Sequence, residues 1–281
     1  MKKVYMVMHQ HKPNMIELLK TIVRTFNEAD IQVSCEPWLL KCLDSDLASL
    51  FCGDPPFACE AIVSVGGDGT LLRANILSTE HNIPLLGINV GTIGFLAEVE
   101  LDQLEIACKL LRNDEYTLDA RMMLKAVVNG STFLALNDVV LSRGGYTRLI
   151  GLNAWVDADH IGRFIADGLI VSTPTGSTGY SLSAGGPIIH PAVDCMLITP
   201  ICAHSLQHRP VVAAASQCIT VKLDKDHNTK AMISIDGQKM FELGEGQVLT
   251  ITRSERRTRF IRFEPKSFFS KIRIKLSEWS C

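Results

Sequence analysis

The chain carries no surplus of charge of either sign. Its 281 residues hold 28 Lys and Arg against 30 Asp and Glu, a formal net charge of −2, so the basic excess that marks nucleic-acid binding is missing. The one basic cluster, Arg253 with Arg256, Arg257, Arg259 and Arg262, has Glu255 and Glu264 beside it and reads as a solvated strand face. No apolar run approaches the ~20 residues of a membrane helix. The apolar stretch at the N-terminus is short for a signal peptide and breaks at His9-Gln10-His11-Lys12, so it reads as a first strand. Nine cysteines are scattered without a Cys-x-x-Cys pair, which fits free thiols in a reducing cytoplasm. His204 and His208 stand at a spacing that would suit a metal on a helix, but Pro200 and Pro210 bracket them and no third ligand is evident. The Walker A lysine loop, Gly-x-Gly-x-x-Gly and the Gly-x-Ser-x-Gly elbow are all missing. Internal repeats and low-complexity tracts are missing too. Ordinary hydrophobic and charged contents of 47% and 21% leave a globular chain of one large or two modest domains.

What is present begins at Ala61. An apolar run, Ala61-Ile62-Val63-Ser64-Val65, stops at Gly66-Gly67-Asp68-Gly69-Thr70, and a helix-like segment, Leu71–Leu77, follows. Strand, glycine turn and helix aim backbone N–H groups at an anion, and glycine lets a phosphate approach without a Cβ in the way. A turn built only for phosphate would not carry Asp68 at its centre. That carboxylate suits a base for a substrate hydroxyl, or a handle on a metal bridging phosphates. The same four residues also suit an ordinary tight turn, with Asp capping the next helix.

Around this turn the first hundred residues alternate in period. Val4–Met8, Ile31–Cys35, Ala61–Val65 and Pro84–Asn89 read as strands, Met15–Phe26 as an amphipathic helix, and Gly91–Leu96 as a second glycine turn. Such alternation predicts a parallel sheet covered by helices, with ligands outside the carboxyl ends of the strands and both glycine turns in one crevice. From Leu118 onward short β-prone segments recur between turn residues: 124–128, 132–136, 139–141, 152–156, 169–172, 219–223, 231–235 and 248–252. They predict a β-sandwich or barrel-like domain. The segment Phe268–Leu276 regains a helical period with a basic face and could cap either domain.

Two further anomalies lie in the β region. After the strand at Leu169, residues 173–187 are almost all small, hydroxyl-bearing or glycine, with Tyr180 and Leu182 embedded. Hydroxyls and bare amides together can follow a sugar or a pyrophosphate. Asn137-Asp138 interrupts the apolar run Leu134–Leu141, and two polar side chains in a buried strand must find partners, which backbone groups could supply.

Taken in order, these pieces resemble an NAD kinase of the bacterial type, almost end to end. The resemblance rests on Gly66–Thr70, Gly87–Leu96, Arg121–Leu124, Leu136–Leu141, Asp167–Pro187, Ile198–Leu206, Ile235-Asp236-Gly237-Gln238 and the Phe-Phe-rich tail. The first motif is shared with diacylglycerol and sphingosine kinases and loosely with phosphofructokinases; the 167–187 block is more particular. The resemblance implies transfer of the ATP γ-phosphoryl to the 2′-hydroxyl of the adenosine ribose of NAD, giving NADP, with Mg²⁺ accompanying ATP and no confident protein ligand for it. It implies Asp68 as the base, Gly69 and the turn amides, with Gly67, against the phosphates, Arg73 offsetting their charge, and Phe95 among the residues that bind NAD or ATP. Asn137 and Asp138 would meet the adenine and ribose. Asp167, Thr178, Gly179, Tyr180, Ser181, Leu182 and Ser183 would hold the rest of the dinucleotide, with Gln238 closing the site and Arg148 near it by position. The implied fold is a Rossmann-like α/β domain, 1–116 plus about 262–281, and an all-β, sandwich-like NAD-binding domain, 117–261, the C-terminal segment returning to the first. A cytoplasmic homodimer or homotetramer is implied as well, with no nucleic-acid or membrane partner.

Three positions depart from the family pattern: Asp138 stands where Glu is usual, Gly179 where Ala is usual, and Ile165 where many relatives carry a basic residue. Two rivals remain in view. A lipid kinase of the diacylglycerol type would need an apolar acceptor cleft in place of the 167–187 block. A non-catalytic dinucleotide sensor would be marked by loss of Asp68 or of that block, and both are intact.

Overall fold

The computed structural model describes residues 1–9, 15–91, 94–143, 149–205, 207–224, 230–263 and 268–278. The chain divides into two compact units, Met1–Ala120 with Thr258–Cys281, and Arg121–Arg257. The boundaries expected near 117 and 262 fall within the long strands Thr117–Val128 and Val248–Arg262, each of which gives residues to both units.

In the first unit the strands Leu85–Asn89, Ala61–Gly66, Lys3–Met8 and Gln32–Cys35 lie side by side in that order, all parallel. Ala61–Gly66 and Leu85–Asn89 are buried at every position, as strands covered on both faces must be. This is why they read as unbroken apolar runs. The helix Met15–Glu28 buries Leu19, Ile22, Val23 and Phe26, the i, i+3, i+4, i+7 stripe of an amphipathic helix. The helix Leu104–Arg112 buries Leu104, Ala107, Cys108 and Leu111 by the same rule. The C-terminal helix Phe268–Glu278 belongs to this unit. Lys271 reaches Glu98 at 3.4 Å, and Lys275 Nζ lies 5.5 Å from the centre of the Phe95 ring. Glu98 is buried and pairs with Arg262 at 2.9 Å. Removing one partner of such a pair strands the other, at a cost of about 3–5 kcal/mol.

The second unit is a sandwich. One sheet pairs Asp159–Ala166, Ile150–Val156, Ile219–Leu223 and the 248–251 part of Val248–Arg262, all antiparallel. The other runs Val211–Ala214, Cys195–Ile201, Gly168–Ser172, Asp138–Ser142, Ala231–Ile235 and Lys239–Leu243, also antiparallel. Leu152, Val221 and Ile251 of the first sheet share a core with Val139, Leu169 and Ile233 of the second.

The structure departs from the sequence reading at several elements. The helix after the glycine turn begins at Asp68, not at Leu71, and runs to His81. Its buried face is Thr70, Leu71, Ala74, Asn75, Ser78 and Thr79, largely polar, so no apolar stripe marks its start. The strand expected to end at Thr252 continues to Arg262. Arg253, Arg256 and Arg257 lie on an exposed face, as the sequence reading has it, with Arg253 and Arg257 meeting Asp194 there; Arg259 meets the Asn82 carbonyl, and Arg262 is buried against Glu98. The hydroxyl-rich block is not an open loop. It folds into a 3₁₀ turn at Gly176–Thr178 and one helical turn at Tyr180–Ser183. His204 and His208 themselves lie outside any helix, and the centres of the His208 and Phe164 rings are 4.5 Å apart. Eight described cysteines are free, and no helix among the described residues is long and apolar enough to cross a membrane.

Candidate active site

Gly66 and Asn89 end adjacent parallel strands and are paired in register, so the chain leaves both strands at the same edge of the sheet. The two glycine turns meet there. Asp68 opens its helix, where the helix dipole favours a negative charge, and its carboxylate accepts from Phe95 N–H at 3.0 Å and from Leu96 N–H at 3.3 Å. Each oxygen takes one main-chain donor and keeps a lone pair for another partner. Gly94 makes this approach possible: a Cβ there would lie 2.1 Å from Asp68 Oδ1. Beside the carboxylate, Gly67 and Gly69 are exposed, with open space where a side chain would project. A helix N-terminus, bare glycine backbone and a fixed carboxylate can hold a phosphate next to a proton acceptor. Arg73 reaches the same sheet edge, where it bonds Glu36 and the Met8 carbonyl. Arg262 donates to the Leu96 carbonyl at 3.1 Å, which anchors the 94–96 turn from the other side.

The second unit gathers most of the remaining residues. The main-chain N–H groups of Leu136, Asn137 and Asp138 all donate to the Asp236 carboxylate, at 2.8, 2.8 and 3.0 Å. With its backbone so engaged, the Asn137 side chain leaves a buried Oδ1 without a hydrogen-bond partner. The Ser172 hydroxyl, opposite Asp138 in the ladder, is likewise buried and unpartnered. Gly176 is pressed against the strand, for a Cβ there would sit 2.1 Å from the Asn137 carbonyl oxygen. The Cβ position of Gly179 lies 3.7 Å from Asn137 Nδ2 and 3.9 Å from Asp138 Oδ2, so the hydroxyl-rich turn and the Asn-Asp pair face each other. Burial, with the Asp236 charge as a second cause, pushes the Asp138 carboxyl up to about 7. Burial also raises Asp236, and its three N–H donors pull the other way.

Within the hydroxyl-rich block the roles diverge. Thr178 is buried and its hydroxyl donates to the Thr175 carbonyl at 3.2 Å; Ser181 is buried against Thr199 Oγ1 at 2.8 Å. The first closes the turn upon itself, and the second ties it to the strand Cys195–Ile201. Tyr180 and Ser183 are exposed and Leu182 is half-buried. Asp167 pairs with Arg143 at 3.0 Å. Gln238 is exposed, in the turn after Asp236. Arg148 lies outside the described residues.

Sequence reasoning passed over Asp236, Ser172 and Arg143 as site residues. Only Asp236 carries a local signal, the Asp-Gly pair of a hairpin turn. Among the described residues no group of three or more His, Cys, Asp or Glu converges as a metal site. That donor set still fits Mg²⁺ brought by phosphate, which needs one or two carboxylates at most, and Asp68 is the carboxylate at the glycine turn.

The comparisons with known proteins point the same way. Residues 4–116 match the model of the ATP-NAD kinase N-terminal domain, and residues 136–263 that of the ATP-NAD kinase C-terminal domain. The chain is 38% identical over 283 residues to the NAD kinase of Geotalea daltonii, covering 98% of each. It is 37% identical over 285 residues to that of Moorella thermoacetica, covering 99% of this chain and 90% of the other. Among solved structures it is similar to yeast NADH kinase complexed with NADH, with a TM-score of 0.85, 25% identity and coverage of 98% of this chain and 87% of that one. It is also similar to an Archaeoglobus fulgidus NAD kinase in complex with ATP, with a TM-score of 0.74, 25% identity and coverage of 96% and 98%. Two domain models in the expected order and relatives matched over nearly their whole length leave one conclusion: the chain belongs to the NAD kinase family.

Proposed function

We propose that Asp68 is the general base of the reaction that this family performs: transfer of the γ-phosphoryl of ATP to the 2′-hydroxyl of the adenosine ribose of NAD. The observation that carries the assignment is the Asp68 carboxylate, fixed by two main-chain N–H groups beside an open glycine turn. A ribose hydroxyl is a weak acid and sheds its proton as phosphorus arrives. In this reading the 2′-oxygen bonds to phosphorus, the bond to the bridging oxygen breaks, ADP departs and the proton passes to Asp68. A positioned base contributes typically ~10²–10⁴-fold; alignment and electrostatics supply the larger remainder.

Gly67, Gly69 and the Phe95 turn are the proposed phosphate seat. Arg73 adds charge at the same edge, partly offset by Glu36. Asn137, Asp138, Asp167 and the 178–183 turn are proposed to hold NAD, with Gln238 and Arg148 beside them. The unpartnered Asn137 Oδ1 supports this reading, since an orphaned buried acceptor is costly unless a ligand donates to it. Mg²⁺, entering with ATP, would neutralise charge on the transferring phosphoryl group. The relatives that hold NADH and ATP support the two substrates. The family resemblance also supports a cytoplasmic homodimer or homotetramer.

The test is NADP formation from NAD, ATP and Mg²⁺, coupled to an NADP-specific dehydrogenase. Asp68→Asn is expected to bind NAD normally and to lose turnover by about 10²–10⁴-fold. Near-normal turnover in that variant would overturn the assignment of the base.

A further inference from the structure

The structure assigns a second carboxylate, Asp236, as the positioning residue that presents Asn137 and Asp138 to the acceptor dinucleotide; this rests on the reading of those two residues as NAD contacts. Asp236 is carried by a tight turn. It joins the strands Ala231–Ile235 and Lys239–Leu243, and Gln238 N–H closes it on the Ile235 carbonyl at 2.9 Å. Asp236 and Gly237 have φ of 49° and 66°, the pair of left-handed conformations that a type I′ turn requires. Asp tolerates that conformation better than most residues, so the turn can place a carboxylate where other side chains would be strained.

What the carboxylate does there is specific. The chain between the strands Ser131–Ala135 and Asp138–Ser142 passes through Leu136 and Asn137. Donors left there without partners would be costly in a buried setting. Asp236 Oδ2 takes Leu136 N–H, and Oδ1 takes both Asn137 and Asp138 N–H. In return Asp236 N–H donates to the Asp138 carbonyl at 3.0 Å. The carbonyls of Leu136 and Asn137 go to Thr173, through its hydroxyl at 2.6 Å and its N–H at 2.9 Å. Every main-chain polar group from 136 to 138 that a clasp could use is thereby spoken for. The Asn137 amide, its Oδ1 unpartnered, and the Asp138 carboxyl remain for a ligand. One half-buried carboxyl group thus fixes the angle at which two ligand-facing side chains leave the sheet.

Asp236→Asn separates this role from mere shape. Asparagine keeps the size and the left-handed preference, but one carboxylate oxygen becomes an NH₂ that cannot accept. The KM for NAD is expected to rise roughly ten- to a hundredfold, the range set by loss of a hydrogen bond to a charged group, with the KM for ATP unchanged. Combined with Asn137→Ala, the effect on the NAD KM should fall short of the product of the two single effects, because both changes act in part on the Asn137 contact. Effects that multiply, an equal rise in the ATP KM, or an NAD KM unmoved by Asp236→Asn but raised by Asn137→Ala would each overturn the inference alone. If Asn137→Ala itself leaves the NAD KM unchanged, the reading of Asn137 as an NAD contact falls, and the inference with it. Should Asp236→Asn fail to fold, amide exchange in the unaltered protein decides. Exchange at Leu136, Asn137 and Asp138 as slow as at Val139–Leu141 is expected, and exchange at the rate of an exposed turn would contradict the clasp.

Discussion

Asp68 and Asp236 are both carboxylates bound by main-chain N–H groups of a neighbouring segment, yet they are arranged for opposite tasks. Asp68 takes two donors, one on each oxygen, and faces an open glycine turn. Asp236 takes three and is closed within a hairpin that returns a donor of its own. In the first case the backbone holds the carboxylate; in the second the carboxylate holds the backbone. The lesson is that spare acceptor capacity and access, more than residue type, separate a reacting carboxylate from a structural one.

The sharpest way to break the contrast is to disturb how Asp68 is held without removing it. A methyl group at Gly94 would lie 2.1 Å from Asp68 Oδ1, so Gly94→Ala must push the carboxylate from its two donors. Misplacement by about 1 Å can cost ~10²-fold. A kcat reduced to that extent with the NAD KM little changed is expected from the coupled assay. The counterpart at the other carboxylate, Asp236→Asn, is expected to move the NAD KM instead.

A smaller effect follows from the neighbour that Asp236 presents. The Asp138 carboxyl is pushed up to about 7 by burial and by Asp236. An ionised carboxylate accepts from ribose hydroxyls, so the NAD KM is expected to fall by about tenfold as pH rises from 6 to 8, while Asp138→Asn flattens the profile. Stability has the opposite slope. The folded state favours the protonated form, so that contribution is full below about pH 4 and is lost as pH rises through about 7. Denaturant titrations across this window should show the decline in the unaltered protein and a weaker one in Asp138→Asn. Smallest of all is Gly179→Ala, which restores the residue usual in the family. Its methyl would sit 3.3 Å from the Gly176 carbonyl oxygen and otherwise at ordinary contact distances, so the NAD KM should change by less than about threefold.

The two regions also differ in how much of them could be read beforehand. The α/β unit announced itself: fully buried parallel strands produce unbroken apolar runs, and glycine turns punctuate them. Asp68 stands out because a turn built only for phosphate would not carry a negative charge at its centre. Even so, the helix start was placed three residues late, since Thr70, Asn75, Ser78 and Thr79 bury polar groups where a periodic apolar stripe is sought. Several strands of the sandwich, such as Asp159–Ala166 and Lys239–Leu243, were missed because charged and polar residues interrupt their alternation. In the sequence Asp236 is visible only as part of the Ile235-Asp236-Gly237-Gln238 motif. Its partners lie 98 to 100 residues away in sequence, and no local pattern encodes a contact of that range.

The most direct test sets the two aspartates side by side. Asp68→Asn and Asp236→Asn would be compared for kcat and for the KM of NAD in the NADP-coupled assay, with NAD binding measured by calorimetry. The expected result is a split: kcat lost by about 10²–10⁴-fold with binding intact for Asp68→Asn, and weakened NAD binding with kcat largely kept for Asp236→Asn. Loss of NAD binding in Asp68→Asn, or turnover close to that of the unaltered protein, would contradict the assignment of Asp68 as the base.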